Sequence, residues 1–225
     1  MIISADAQTL LARCAPNVGF KTMAGIIEYE SGWRSLAIGD NTARQSYFPD
    51  SRDDAIRIVV TLLKKGHNLD VGLSQVNSDN WAAYGIGPLT AFDPCTNVHV
   101  GSQILTGAYV GSARHNWIGR PIATATDRYY NEQQALIHAL SAYNSGSYFA
   151  SMSYASIVYQ IAVGVIGSIP EQPVTVRPAE RFYHAPAPVH AVSFRPNWGL
   201  PPATPRPSLL VTRTAADWSS AQGHQ

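Results

Sequence analysis

The sequence predicts a mainly α domain, all-α or α+β, in residues 1–167 and a proline-rich, largely irregular tail in residues 168–225. Three observations support this division. Apolar residues recur at spacings of three and four through much of the first part, which is the period of one helix face. Convincing alternation with period two is missing there, although 70–76 could form a short strand. Ten of the fifteen prolines fall in the tail, where they interrupt helices and sheets.

The helix over 51–65 has the clearest signals. Ser51 is a good N-cap, Asp53 and Asp54 stand in the first turn, and Lys64 stands in the last, so the charges suit the helix dipole. The other predicted helices cover 5–13, 22–31, 79–84, 98–114, 132–143 and 148–166. Between them lie predicted loops rich in Gly, Asn and Asp over 34–50, 66–78, 85–97 and 115–131.

Three further residues mark predicted helix ends. Thr22 and Asn131 are the expected N-caps of the helices that follow them, because their side chains can accept from free backbone N–H groups. Gly32 is the expected residue just past the end of the helix over 22–31.

Composition excludes several classes of function. Charged residues make up 14% of the 225 and the net charge is +1, so we expect neither nucleic acid nor an anionic membrane as the main partner. No apolar run approaches the roughly 18 residues of a membrane span, and the first residues show no secretory signal. The histidines lack ligand spacing, so we expect no metal and no other cofactor.

Glu30 is the most informative single residue. Met23, Ile26 and Ile27 mark one apolar helix face, and Glu30 is the next position on that face, at the last turn. Burial and the negative end of the helix dipole should both raise the pKa of this carboxyl group. A carboxylic acid that stays protonated near neutral pH can donate a proton to a leaving group. The alternative is a structural acid that is half-exposed or tied to a neighbouring group.

The two cysteines, Cys14 and Cys95, permit two interpretations. They could form one disulfide that closes a loop of about 80 residues, or remain two buried free thiols. The residues alone leave both open.

Three short motifs stand in a specific order. The first is Glu30-Ser31, the second is the Gly-Leu-x-Gln run at 72–75 followed by Asn77, and the third is Ala-Tyr-Asn-x-Gly at 142–146. This order resembles the lysozyme-like lytic transglycosylases of the SLT superfamily. The resemblance is strongest to the branch that serves type IV secretion systems, because Gly32-Trp33 and the Phe-Asp-Pro-Cys-x-Asn run at 92–97 also match. It spans roughly residues 10–165, and it implies a lysozyme-like α+β fold.

The resemblance implies a single catalytic acid and base, Glu30, which cleaves peptidoglycan glycan strands and leaves a 1,6-anhydro sugar. Ser31 would hydrogen-bond near the substrate or steady Glu30, and Gln75 and Asn77 would line and shape the cleft. Tyr143 would bond to Glu30 or pack beside it, and Asn144 would hold an acetamido group or the cleft backbone.

The family context also bears on the cysteines and the tail. Peptidoglycan lies outside the cytoplasm, so the resemblance implies a periplasmic protein and a Cys14–Cys95 bridge. The proline-rich tail would bind subunits of a type IV secretion system.

A hydrolase that uses two carboxylates would need a second acid across the scissile bond. Asp40, Asp50 and Asp70 are available, but we interpret each as a loop or turn residue. The aromatic residues Trp33, Tyr47, Trp81 and Trp117 are candidate sugar platforms, although packing is the commoner fate of each one. Two alternatives to the transglycosylase therefore stay open: a conventional muramidase, and a peptidoglycan-binding assembly factor that recruits secretion subunits through its tail.

Overall fold

The computed structural model describes residues 1–115 and 124–167, so the predicted tail and Trp117 lie outside the described residues. Within them, helices make up most of the chain, which confirms the mainly helical prediction. The helices are α1 (Ala5–Cys14), α2 (Phe20–Ser31), α3 (Arg52–Lys64), α4 (Trp81–Tyr84), α5 (Pro94–His115), α6 (Ala125–Ser145) and α7 (Met152–Val163). A 3₁₀ turn, Ser78–Asn80, precedes α4.

Ser51 caps α3 and Gly32 ends α2 in the left-handed conformation, as predicted, but two predicted N-caps are wrong. Helix α2 begins at Phe20, so Thr22 lies inside it. Thr124 forms a capping box with Asp127, and this reciprocal pair starts α6 well before Asn131. The predicted loop over 115–131 is therefore helical from 125 onward.

The other helix ends shift by a few residues. Helix α5 begins at Pro94 rather than at 98, because a proline in the first turn lacks only an N–H that would be unpaired there. Asp93 accepts from the backbone N–H of Thr96 at 2.8 Å, as an N-cap does. Helix α7 is shorter than the predicted 148–166 and covers Met152–Val163.

In the part of the chain that the structure describes, six short strands form two small sheets. The strands are β1 (Ile2–Ile3), β2 (Ile38–Asp40), β3 (Gln45–Tyr47), β4 (Leu69–Val71), β5 (Val76–Asn77) and β6 (Ile166–Gly167). The larger sheet is antiparallel in the order β3-β2-β4-β5, and β1 pairs in parallel with β6. The predicted loops over 34–50 and 66–78 thus contain strands. Segments of two or three residues are too short to display an alternating pattern.

The buried side chains form two clusters that meet at α5. The first cluster is helical and fills the space between α1, α2, α5, α6 and α7, which we call the helical region. The second packs α3 and α4 against the larger sheet, which we call the sheet region. Helix α5 serves both, with Leu105 in the first cluster and Ile104 in the second. Tyr143 packs against both clusters, so it marks the seam between the regions.

Two glycines allow close approach, one between α2 and α7 within the helical region and one between α5 and the loop after β4. A Cβ atom on Gly25 of α2 would lie 2.9 Å from the carbonyl oxygen of Val158 on α7, and one on Gly101 of α5 would lie 2.6 Å from Ser74 Cβ. Real Cβ contacts are not this short, so only glycine permits these two approaches.

A disulfide joins Cys14 at the end of α1 to Cys95 at the start of α5. The bridge is the one that the resemblance implied, and it closes a sequence separation of 81 residues. None of the helices in residues 1–115 and 124–167 combines the length and apolar composition that crossing a bilayer requires. The same residues contain no group of His, Cys, Asp or Glu side chains arranged to hold a metal ion.

Candidate active site

Glu30 lies in the last turn of α2, where burial raises the pKa of its carboxyl group to about 7. Tyr154 of α7 donates a hydrogen bond from its hydroxyl to Glu30 Oε1 at 2.6 Å, which opposes the rise. The charge of Asp70 adds to the rise. A carboxyl group with this pKa is substantially protonated near neutral pH. It can therefore act as a proton donor and, after donation, as a base.

Tyr154 is a residue that the sequence patterns did not single out. It is buried, and its ring stands edge-on to Tyr29 with centroids 4.9 Å apart. Burial and the charge of Glu30 raise the pKa of its hydroxyl well above the usual range, so it stays a donor. Only the packing of α7 against α2 brings Tyr154 to Glu30, and no short motif links the two residues.

Tyr143, predicted to bond to Glu30 or pack beside it, donates instead to the backbone oxygen of Ser74 at 2.7 Å. The charges of Glu30 and Asp70 both contribute to the raised pKa of its hydroxyl, after burial, which is the largest cause. Tyr143 therefore lies close enough to Glu30 for electrostatic interaction, while its hydrogen bond holds the loop between β4 and β5.

Ser31 ties the Glu30 helix to the same loop. Its side chain is 4% exposed, and its hydroxyl oxygen lies 2.8 Å from the Leu73 carbonyl oxygen and 3.1 Å from that of Ile27. The hydroxyl has one proton, so these two carbonyls share a single donor. This geometry holds the helix end against the loop and turns the hydroxyl toward the protein interior.

Gln75 is in the left-handed backbone region, with φ of 44°, which is uncommon for a residue with a side chain. Its amide nitrogen donates to the carbonyl oxygens of Gly72 at 2.8 Å and Ala37 at 3.2 Å. The side chain therefore fastens the turn after β4 to the chain just before β2. Its predicted contact with the substrate stays a prediction.

Asn97 is a further support that the motif contained but that received no role from sequence reasoning. It is 1% exposed, and its amide nitrogen donates to the carbonyl oxygens of Val71 at 2.7 Å and Ala91 at 2.9 Å. Its side-chain oxygen accepts from the backbone N–H of Ser74 at 2.7 Å. Asn97 thus fixes the loop of the second motif to the first turns of α5.

Asp70 lies in β4, which corrects its interpretation as a loop or turn residue. Its two carboxylate oxygens accept from Asn77 at 2.8 Å and from Asn41 at 2.7 Å. The pKa of Asp70 is raised overall, because burial, the largest cause, and the charge of Asp79 outweigh these two hydrogen bonds, which lower it. Asn77, a predicted site residue, therefore belongs to a group of polar side chains around a second carboxylate, Asp70. The sequence did not predict this group because β4 has only three residues.

Asn144 makes its hydrogen bond in the connection between α6 and α7 and not with the other predicted site residues. It lies near the end of α6, and its amide nitrogen donates to Ser151 Oγ at 2.9 Å. This exposed bond holds the connection between α6 and α7. Its predicted role in substrate binding stays a prediction.

The aromatic candidates for sugar platforms differ in how deeply they are buried. Trp81 is 5% exposed and donates from its ring nitrogen to the Val76 carbonyl oxygen, so it is part of the core. Trp33 and Tyr47 are partly buried and pack against the helical and sheet clusters, respectively. Trp117 lies outside the described residues.

Two histidines in the described residues make local contacts. His67 pairs with buried Asp40, with 2.7 Å between Nδ1 and Oδ2, and His138 lies 2.9 Å from the carbonyl oxygen of Tyr148. His138 is buried in α6.

A helical domain in which a partly buried glutamate ends one helix beside a short antiparallel sheet is the arrangement of a lysozyme-like glycosidase. The Transglycosylase SLT domain family matches this chain over residues 10–153, and the chain belongs to that family. The matched segment contains Glu30, Ser31, Gln75, Asn77 and Tyr143.

Three curated relatives of this chain all carry virB1 in their names. Protein virB1 of Agrobacterium fabrum is 35% identical over 144 residues, which are 64% of this chain and 53% of that protein. Type IV secretion system protein virB1 of Brucella abortus is 38% identical over 139 residues, 62% of this chain and 53% of that protein. Protein virB1 of Rhizobium radiobacter is 31% identical over 172 residues, 76% of this chain and 66% of that protein.

The chain thus spans about half the length of the first two of these relatives. No solved structure gave a significant match to it.

Proposed function

We propose that this protein is a peptidoglycan lytic transglycosylase that cleaves the bond between N-acetylmuramic acid and N-acetylglucosamine and leaves a 1,6-anhydro end. The observation that supports it best is Glu30, a partly buried carboxyl group with a pKa of about 7 inside the segment that matches the transglycosylase family. Such a group can be acid and base in turn, and this reaction needs both.

The reaction has two proton transfers. Protonated Glu30 donates to the glycosidic oxygen as the bond from that oxygen to C1 of the muramic acid breaks. The resulting carboxylate then accepts the proton of the C6 hydroxyl, whose oxygen forms a bond to C1. No water is consumed, and Glu30 returns to its protonated state.

Tyr154 supports both halves of this cycle. A protonated carboxyl group accepts at one oxygen and donates from the other. The bond from Tyr154 to Oε1 therefore leaves Oε2 to carry the proton that is transferred. When Glu30 is a carboxylate, the same phenol stabilises its charge.

The names of the relatives support a proposed setting. The name of the Brucella relative places that protein in a type IV secretion system. We infer that this chain opens the wall locally for such an apparatus, works in the periplasm and binds apparatus subunits through its proline-rich tail. The Cys14–Cys95 disulfide suits an oxidising compartment.

Digestion of purified sacculi, followed by mass spectrometry of the released muropeptides, tests the reaction. We expect anhydro-muropeptides from the wild type, and a loss of about 100-fold or more in their release by Glu30→Gln, since general acid–base catalysis contributes this much. Retained binding of sacculi and an unchanged circular dichroism spectrum would show that the variant is folded. Undiminished release by the folded variant would overturn the role of Glu30.

A conventional muramidase is the second candidate, and Asp70 is the observation that favours it. Its charge acts on Glu30, so two carboxylates lie within electrostatic reach of each other, as a two-carboxylate hydrolase requires. If the wild type released hydrated reducing ends and Asp70→Asn did not, the muramidase would replace our first proposal. Release of no product by the wild type would favour the assembly factor.

A further inference from the structure

Asp70 accepts hydrogen bonds from two asparagine side chains, Asn41 and Asn77, and a third, Asn68, bonds to both of these; we call the three residues the asparagine clamp. Asn41 follows β2, Asn68 precedes β4, and Asn77 ends β5. Asn41 Nδ2 donates to Asp70 Oδ2 at 2.7 Å and to Asn68 Oδ1 at 2.8 Å. Asn77 Nδ2 donates to Asp70 Oδ1 at 2.8 Å and to Asn68 Oδ1 at 2.7 Å.

The amide donors of Asn41 and Asn77 are fully used. An amide NH₂ group has two protons, and both Asn41 and Asn77 use both of them. Asn68 returns a bond to Asn77, with 2.9 Å from Nδ2 to Oδ1. Backbone contacts also set the position of Asn41, since its own N–H donates to the Asn68 carbonyl oxygen at 3.0 Å.

This geometry is specific for an ionised carboxylate at position 70. Each oxygen of Asp70 faces an N–H donor, so each must accept. A protonated acid would present its O–H to one of these donors, and an amide would present its NH₂ group. Either change leaves two donors facing each other.

The clamp also lies close to the proton donor. The charge of Asp70 acts on Glu30 of α2 and on Tyr143 of α6, and Asp79 of the 3₁₀ turn acts on Asp70. On the neighbouring strand β2, Asp40 pairs with His67. Burial favours the neutral form of Asp70, and the bonds from Asn41 and Asn77 oppose it.

We propose that Asn41 is a positioning residue of the active site, which acts by holding the Asp70 carboxylate, together with Asn77, as an oriented negative charge within reach of Glu30. This proposal rests on the proposed glycosidase function, because its consequence for turnover requires that Glu30 is the proton donor. It assigns a role to the segment after β2, which contributes no residue to the three motifs.

Carboxyl carbon NMR titration of the full chain tests the hold on Asp70 without a need for activity. In Asn41→Ala, the loss of one charge-assisted hydrogen bond should raise the titration midpoint of Asp70 by about one pH unit. Asn80→Ala is the matched control, because Asn80 lies nearby and makes no side-chain cap bond. A midpoint for Asp70 that is the same in wild type and Asn41→Ala would overturn the proposal.

The pH dependence of sacculus digestion tests the consequence. The acid limb of the wild-type profile should move upward by about one pH unit in Asn41→Ala and stay in place in Asn80→Ala. In Asp70→Asn this limb should disappear. A purely structural role would lower the melting temperature of Asn41→Ala without moving either limb, and that result would overturn the proposal.

The two experiments separate the two claims. If the wild type releases no muropeptides, the proposed function fails, and the NMR midpoint still decides whether Asn41 holds the Asp70 carboxylate.

Discussion

The helical region and the sheet region each enclose a carboxylate, and the pKa values of the two groups move in opposite directions. For both Glu30 and Asp40, burial is the largest single influence and raises the pKa. Glu30 receives one hydrogen bond, from Tyr154, and its pKa stays high. Asp40 receives bonds from the backbone of Ala43, from His67 and from the backbone of Thr42, and its pKa is lowered. Between Glu30 and Asp40, the number of donors, more than the depth of burial, decides which carboxyl group keeps its proton.

The largest effect expected from this difference is on the pH dependence of stability. Below its ordinary value of 4.5, Glu30 is protonated in the folded and unfolded chain alike. As the pH rises to about 7, the unfolded chain releases the proton first, and the folded state loses about 3 kcal/mol. Glu30→Gln lacks this loss. Denaturant unfolding from pH 4 to pH 8 should therefore show the variant gaining about 3 kcal/mol relative to wild type.

Asp40 supplies the contrasting control for that measurement. Its lowered pKa stabilises the folded state above the ordinary value of 3.8, and this stabilisation is lost as the pH falls. The deficit of Asp40→Asn should thus be largest at neutral pH and shrink in acid. If the free energy of unfolding had the same pH dependence in wild type and in both variants, the opposite pKa shifts of Glu30 and Asp40 would be contradicted.

A smaller effect is expected at the seam that joins the regions. Ser31→Ala removes the donor to the Leu73 carbonyl oxygen and leaves a buried acceptor unpaired, which should cost about 1–3 kcal/mol in the free energy of unfolding. Ser102→Ala is a matched control, because Ser102 is equally buried but bonds only to His99 in its own helix. Equal losses in the two variants would show that the bond to Leu73 does not join the regions.

The smallest effect concerns the single donor to Glu30. Tyr154→Phe removes the hydrogen bond that lowers the pKa of Glu30, so the alkaline limb of the digestion profile should move upward by up to about one pH unit. Tyr29→Phe is the control, because Tyr29 contacts the Tyr154 ring edge-on. A limb that stays in place in Tyr154→Phe would show that this bond does not tune the acid.

The helical region was more predictable from the sequence than the sheet region for a physical reason. Helix α2 has a full apolar face, so Glu30 stood out as a polar residue on it. Strand β4 has only three residues, and nothing in so short a segment distinguished Asp70 from a turn aspartate. The prediction of Asn131 as an N-cap is wrong because Thr124 and Asp127 form a capping box that starts α6 further upstream. Tyr154 required the packing of two helices distant in sequence.

The close crossing of α2 and α7 depends on the glycine at position 25. No polar atom of Gly25 takes part in the site, yet a methyl group there would press on the Val158 carbonyl oxygen and push α7 outward. Tyr154 lies one turn earlier on α7 and would move with it, away from Glu30. The close approach of two backbones therefore keeps in place the hydrogen bond that lowers the pKa of Glu30, and it depends on a single hydrogen atom in place of a side chain at position 25.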